Sequence, residues 1–174
     1  MYNESNKSPL EEICQLFLSQ GVEFLIIGGQ AEYLFGSPRV TMDVDLCYRR
    51  DTENLRRLAT CLQAMGAKLR NVPPEVKFLL DHQTLKMGCN FTFSTQLGDL
   101  DLLGEVEPLG GYEAILAHHE EYDFGGYVVR TIGLEDLLRV KLHINRVKDQ
   151  ESIVQLQAIK RLRQQEGQQK HGDK

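Results

Sequence analysis

Asp43-Val44-Asp45 carries the clearest chemistry in the chain. It follows a glycine pair, Gly28-Gly29, that closes the apolar run Phe24-Leu25-Ile26-Ile27, and Gly36-Ser37-Pro38-Arg39-Val40-Thr41-Met42 leads into it. Residues i and i+2 of a strand share one face about 6–7 Å apart at Cα, so Asp43 and Asp45 would point the same way and could grip a divalent cation. Two metal ions about 3.5–4 Å apart can bind attacking and leaving oxygens together, which takes more than one carboxylate, so a third acid from a neighbouring strand is expected. Leu97-Gly98-Asp99-Leu100-Asp101-Leu102-Leu103 offers two. A buried carboxylate is costly unless it is paired or coordinates metal. Asp101, flanked by Leu100 and Leu102, is better placed inside a sheet than Asp99, which follows a glycine near the strand's start. The chemistry this predicts is phosphoryl or nucleotidyl transfer.

The glycines have their own reason. A backbone without Cβ can approach a phosphate closely, and amides at the turn into the next helix can donate to its oxygens. Alone, Gly-Gly means only a tight turn; joined to Asp-Val-Asp at this spacing and to a third acidic strand, it says more. Arg39 and Thr41 lie between the glycines and the acids, where a cation could meet a triphosphate or make a surface salt bridge. Lys141 falls on the helical stripe of Leu134, Leu137 and Leu138, where it either snorkels at the stripe's edge or reaches a phosphate.

The elements that must position these residues are read from periodicity and caps. Ser8-Pro9-Leu10-Glu11 predicts a capping box that opens a helix stopping at Gly21, with Leu10, Ile13, Leu16, Phe17 and Gln20 on one stripe. Residues 22–27 read as a buried strand and 31–35 as a short helix. Residues 43–48 read as a strand with its acids on one face and Val44, Leu46 and Tyr48 on the other. Asp51 or Thr52 opens a helix that buries Leu55, Leu58, Ala59 and Leu62 and ends at Gly66. Pro73-Pro74 leaves 67–87 as a short strand, a turn and a ragged edge strand. Strands follow at 89–95, 97–106 and 127–130, with a short helix over 112–118. Helices over 134–145 and 149–163 end the pattern, and Asp149 suits the N-cap of the second. Arg146 and Lys148 sit at their junction.

At 174 residues, 41% of them hydrophobic, the chain suits one domain over 1–165 with a polar tail over 166–174 that cannot bury enough to order. Cys14, Cys47, Cys61 and Cys89 form no Cys-x-x-Cys pair and read as reduced thiols. No apolar run approaches the roughly 20 residues of a membrane span, and Met1-Tyr2-Asn3-Glu4 does not begin like a secretion signal, so a cytoplasmic location is expected. The net charge is −5, with an acidic front and a mildly basic end, which disfavours binding of extended nucleic acid.

The motif set resembles the DNA polymerase β-type nucleotidyltransferase superfamily, and within it small prokaryotic proteins grouped with the toxin-type and aminoglycoside-type nucleotidyltransferases. The likeness rests on Gly28, Gly29, Ala31, Gly36, Pro38, Arg39, Thr41, Asp43, Asp45 and Leu46; on Thr95, Gly98, Leu100, Asp101, Leu102 and Leu103; and on Leu134, Asp136, Leu137, Lys141, Arg146, Lys148 and Asp149. It spans roughly residues 20–160. Where the superfamily often has serine after the first glycine, this chain has Gly29. The resemblance implies an α+β nucleotidyltransferase fold: a mixed β-sheet flanked by helices with a C-terminal helical pair. It also implies an enzyme that moves a nucleoside monophosphate from an NTP such as ATP to a hydroxyl acceptor on a small molecule, protein or RNA. Asp43, Asp45 and Asp101 would bind Mg²⁺ or Mn²⁺, and Gly28, Gly29, Arg39, Thr41 and Lys141 would bind the nucleotide. The alternative is a non-catalytic relative kept as a binding or regulatory module with a cognate partner protein, such as half of a toxin–antitoxin pair.

Overall fold

The computed structural model describes residues 7–73 and 75–172. Helix α1 (Pro9–Ser19) begins with the predicted capping box, in which Ser8 and Glu11 satisfy each other's backbone amides. Cys14 joins Leu10, Ile13 and Phe17 on its buried side, while Gln20 caps the end and is exposed. Strand β1 (Phe24–Ile27) is buried throughout, and α2 (Gly28–Leu34) starts directly from it. Strand β2 (Val44–Tyr48) leads to α3 (Thr52–Ala64), which is capped by Asp51 and buries Leu55, Leu58, Ala59 and Leu62 as predicted.

Beyond α3 the chain departs from the sequence reading. The two-residue strand β3 (Lys68–Leu69) is followed not by an edge strand but by helix α4 (His82–Met87). The side chain of Asp81 accepts the Thr84 amide, and Leu85 turns into the core; one cap and one apolar anchor decide a segment whose periodicity is too short to read. Strands β4 (Asn90–Thr95) and β5 (Gly98–Leu103) stand where strands are predicted and pair antiparallel, but the last part of the predicted 97–106 strand separates. There β6 (Glu105–Val106) pairs with β7 (Gly110–Gly111) as a ribbon of its own before α5 (Tyr112–Leu116). Strand β8 (Glu120–Asp123) is an addition, since its run of acids hides it from apolar patterning, and β9 (Val128–Thr131) pairs with it. Helix α6 (Leu134–Ile144) ends at Asn145, which is left-handed at φ 49°. A 3-10 turn over Val147–Asp149 precedes α7 (Gln150–Gly172), so helix continues past Arg163 into the segment predicted as a polar tail. Its exposed positions 161–168 are mostly Arg, Gln, Glu and Leu, which favour helix without burial.

The large sheet runs β3-β4-β5-β2-β1-β9-β8. It is mixed: β1 is parallel to β9 and β2 to β5, while the remaining neighbours are antiparallel. Helices α6 and α7 pack against each other, as do α1 and α3. This is the α+β architecture predicted. Cys14, Cys47 and Cys61 are buried in the core as free thiols, and burial pushes Cys14 and Cys47 up to about 12.

Strand β2 carries the core through the middle of the sheet. Val44 and Leu46 lie beside Leu100 and Leu102 on one face, all without solvent exposure. Leu46→Ala should therefore cost about 2–5 kcal/mol, measured as a lower urea midpoint with an unchanged denaturant slope.

Candidate active site

The parallel register of β2 and β5 sets Asp45 opposite Asp101, with Ile27 across from Asp45 on β1. Neighbouring strands lie about 4.8 Å apart, so the two carboxylates leave the same face of the sheet side by side. Asp43 stands just before β2 and is exposed. Burial raises the Asp45 carboxyl to about 6, and the charges of Asp101 and Asp43 add to this; the Gly29 amide and the Lys141 charge oppose it. Asp101 is also shifted up by burial, against the pull of Arg70.

The glycines follow from this crowding. Gly28 has φ +62°, and a Cβ there would sit 2.3 Å from Asp45 Oδ2. Both facts demand glycine. A Cβ on Gly29 would meet Thr41 Cγ2 at 2.8 Å, so Thr41 fills the space that the superfamily's serine would need. Gln30 ties the approach to the acids by donating to the carbonyls of Thr41 (3.1 Å) and Asp43 (3.3 Å).

Gly28, Gly29, Thr41, Asp43, Asp45 and Asp101 thus gather where the end of β1, the start of β2 and the middle of β5 meet. Two predicted residues stand elsewhere. Arg39 is turned toward α7, where Nη1 donates to the buried Ser152 hydroxyl at 2.7 Å, and it lines a cavity of about 340 Å³ with Lys148, Glu151 and Gln155. Lys141 is buried, and its ammonium pairs with Glu32 and with Asp149 at 3.1 Å. Burial works to raise the Asp149 carboxyl, but hydrogen bonds from Arg146 (2.6 Å) and Lys141 hold it below the usual range. Asp149 stands immediately before α7, the position predicted for its N-cap, and its buried carboxylate is the hub of an ion cluster.

Sequence reasoning missed two members of the site. Glu32, almost wholly buried on α2, is the partner that a lysine on an apolar stripe requires, so Lys141 itself was the signal. Arg70 stands just past β3, donating to Asp99 Oδ2 at 2.9 Å and to Asp101 Oδ1. Only the strand register brings it there, and no local pattern announces it.

Among the described residues, no three His, Cys, Asp or Glu side chains already stand in a metal-ligand arrangement, and the cation against Asp101 is Arg70. The donor set nevertheless suits a hard divalent ion: three carboxylates from β2, its approach and β5, with Asp45 destabilised by its acidic neighbours. Also among the described residues, no helix is long and apolar enough to cross a membrane.

This topology, with Asp45 and Asp101 side by side on two parallel central strands and a glycine turn against Asp45, is the fold of solved nucleotidyltransferases. The lincosamide antibiotic adenylyltransferase LnuA, solved with lincomycin bound, aligns over 90% of this chain and 99% of its own at 20% identity and a TM-score of 0.61. The antibiotic-resistance factor ANT(2'')-Ia aligns over 95% of both chains at 15% identity and a TM-score of 0.54. A Thermotoga maritima protein assigned as a nucleotidyltransferase, TM1012, covers 83% of this chain and 87% of its own at 15% identity and a TM-score of 0.54. No family model and no curated protein sequence matches the chain.

Two outcomes follow from the charges. In the metal-free native state Asp45 keeps its proton to higher pH than in the unfolded chain, so its contribution to stability is full below about pH 4 and is lost as pH rises through 6. Asp45→Asn removes that dependence and should gain on the wild type by on the order of 3 kcal/mol between pH 4 and pH 7, read by urea unfolding at both. Lys141→Met strands Glu32 and leaves Asp149 with Arg146 alone, which should cost about 3–5 kcal/mol. Adding Glu32→Gln should restore part of that loss; a single variant as stable as the wild type would show that the buried ammonium carries no such burden.

Proposed function

We propose that this protein is a divalent-metal-dependent nucleotidyltransferase that moves a nucleoside monophosphate, with ATP as donor, to a hydroxyl on a small molecule. The observation that carries the reading is the register of β2 and β5, which aligns Asp45 with Asp101, with Asp43 just before the strand and Gly28 packed against Asp45. The small-molecule acceptor is favoured by the fold shared with LnuA, a lincosamide adenylyltransferase.

Asp43, Asp45 and Asp101 would hold Mg²⁺ or Mn²⁺, which supplies charge neutralisation at the phosphates and a more acidic acceptor hydroxyl. Asp45 and Asp101 stand beside each other, and Asp101 would help to activate the acceptor hydroxyl as metal ligand or base. Gly28 and Gly29 let the backbone approach the triphosphate, and Thr41 brings a hydroxyl against Gly29. Arg39 and Lys148 offer positive charge at the neighbouring cavity. Lys141 acts from inside the fold: it is held by Glu32 and Asp149, anchors α2 and lends its charge to Asp45.

The test combines binding and turnover. Millimolar Mg²⁺ or Mn²⁺ with ATP should raise the melting temperature, because a ligand bound only by the native state stabilises it. Labelled ATP should pass its monophosphate to hydroxyl-bearing antibiotics or to small molecules of a cell extract. Asp43→Asn and Asp45→Asn should fold and lose transfer by at least about 10²-fold, the scale of several kcal/mol of charge stabilisation. An unmoved melting temperature together with no transfer of any labelled NTP would instead identify a binding or regulatory module.

A further inference from the structure

Arg70 is held in place by the sheet. Its backbone N–H donates to the Thr92 carbonyl at 2.9 Å, extending the β3–β4 ladder by one residue. Thr92 is opposite Asp101, and Asp101 is opposite Asp45. Arg70, Thr92, Asp101 and Asp45 therefore form one row across four neighbouring chain segments. From the end of that row the guanidinium spans both acids of β5, bonding Asp99 through Nη1 and Asp101 through Nη2.

The two acids are not held alike. Asp99 also accepts from the Ser94 hydroxyl at 3.0 Å, whereas Arg70 is the one side-chain donor to Asp101 among the described residues. The three side chains are half-shielded, at 23% exposure for Arg70, 25% for Asp101 and 39% for Asp99, so their charges act in a medium less screening than water. A guanidinium stays protonated at any relevant pH and cannot vacate the contact by losing its charge. A divalent cation and Arg70 are thus alternative partners for the same Asp101 oxygens.

We propose that Arg70 is a positioning residue for the reaction: it holds Asp101 in the β5 row until a divalent cation takes over that carboxylate, and it then remains on Asp99. This inference rests on the carboxylate site proposed above. It gives Asp99 a role as the resting partner of Arg70, apart from metal ligation. It also means that metal binding must work against the Arg70–Asp101 bond, so a weaker Arg70 leaves the acids readier for metal but the metal-free fold less stable.

The experiment is a Mn²⁺ titration of the substrate-free protein, with free Mn²⁺ followed by electron paramagnetic resonance. Arg70→Gln should bind Mn²⁺ on the order of tenfold more tightly than the wild type and melt lower without metal. Arg70→Lys, which keeps the charge, should return toward wild-type affinity. In the wild type, the arginine side-chain ¹⁵N signal absent from the Arg70→Lys spectrum should shift on saturation with Mg²⁺. If the wild type binds Mn²⁺ and Arg70→Gln binds it equally or more weakly, Arg70 is only structural and the inference falls. Should Arg70→Gln fail to fold, an unmoved Arg70 signal in the Mg²⁺-saturated wild type decides against it in the same way. Binding by Arg70→Gln alone would support the inference strongly, and binding by neither protein would overturn the metal site itself along with it.

Discussion

Two carboxylates on adjacent central strands, facing the same way and partly removed from water, repel each other and lose hydration together. In this chain that constraint arises from a single register, Asp45 beside Asp101 on the parallel pair β2 and β5. The surrounding residues answer it with three different kinds of positive potential. The Gly29 amide and the buried Lys141 charge act on Asp45, and the Arg70 guanidinium acts on Asp101. None of them removes the strain on Asp45, whose carboxyl remains raised. A site left short of positive charge in this way is the electrostatic setting in which the proposed divalent cation would relieve the acids.

The same constraint organises the helices. Lys141 can lend its charge to Asp45 only if it is buried, and it can be buried only with partners, so Glu32 on α2 and Asp149 beyond α6 close around it. Asp149 in turn takes Arg146. The loop from α2 to Asp43 is stitched to the far end of the chain: Ser37 donates to Gln155 at 2.8 Å and Arg39 to Ser152, while Gln30 holds the backbone of Thr41 and Asp43. The C-terminal helices thus fix the approach of the first acid. This positional contact accounts for the buried Ser152 on α7, a helix with little apolar patterning of its own.

Features with a local cause were legible in the sequence. The Ser8 capping box, the Asp51 cap, the buried β1 and the alternation through Asp43–Tyr48 each follow from a few adjacent residues, and each stands where expected. The choice of Asp101 over Asp99 as the acid inside the sheet also follows locally, from its leucine neighbours, and Asp101 is the one that aligns with Asp45. Features that depend on distant pairing were not legible. Arg70 reaches the acids only through the β3–β4–β5 register, β8 is a strand because β9 pairs with it, and Asp149 is a hub because Lys141 on α6 is buried against it. In the 67–87 stretch a single cap and a single leucine outweigh propensity, which no window average detects.

Gly29 shows how close the local and distant requirements come to conflict. A serine at this position would add a hydroxyl near the proposed phosphates, yet its Cβ would press on Thr41, whose Cβ lies 3.1 Å from that point and whose backbone is held by Gln30. Thr41 cannot retreat without loosening the approach to Asp43. The chain therefore keeps glycine on the turn and presents the hydroxyl from the opposite side of the gap, 3.4 Å from where the missing Cβ would be. The same crowding holds one residue earlier, where Asp45 excludes any side chain on Gly28. Two consecutive glycines, weak evidence when met in a sequence, are in this fold the consequence of two side chains already occupying the space above them.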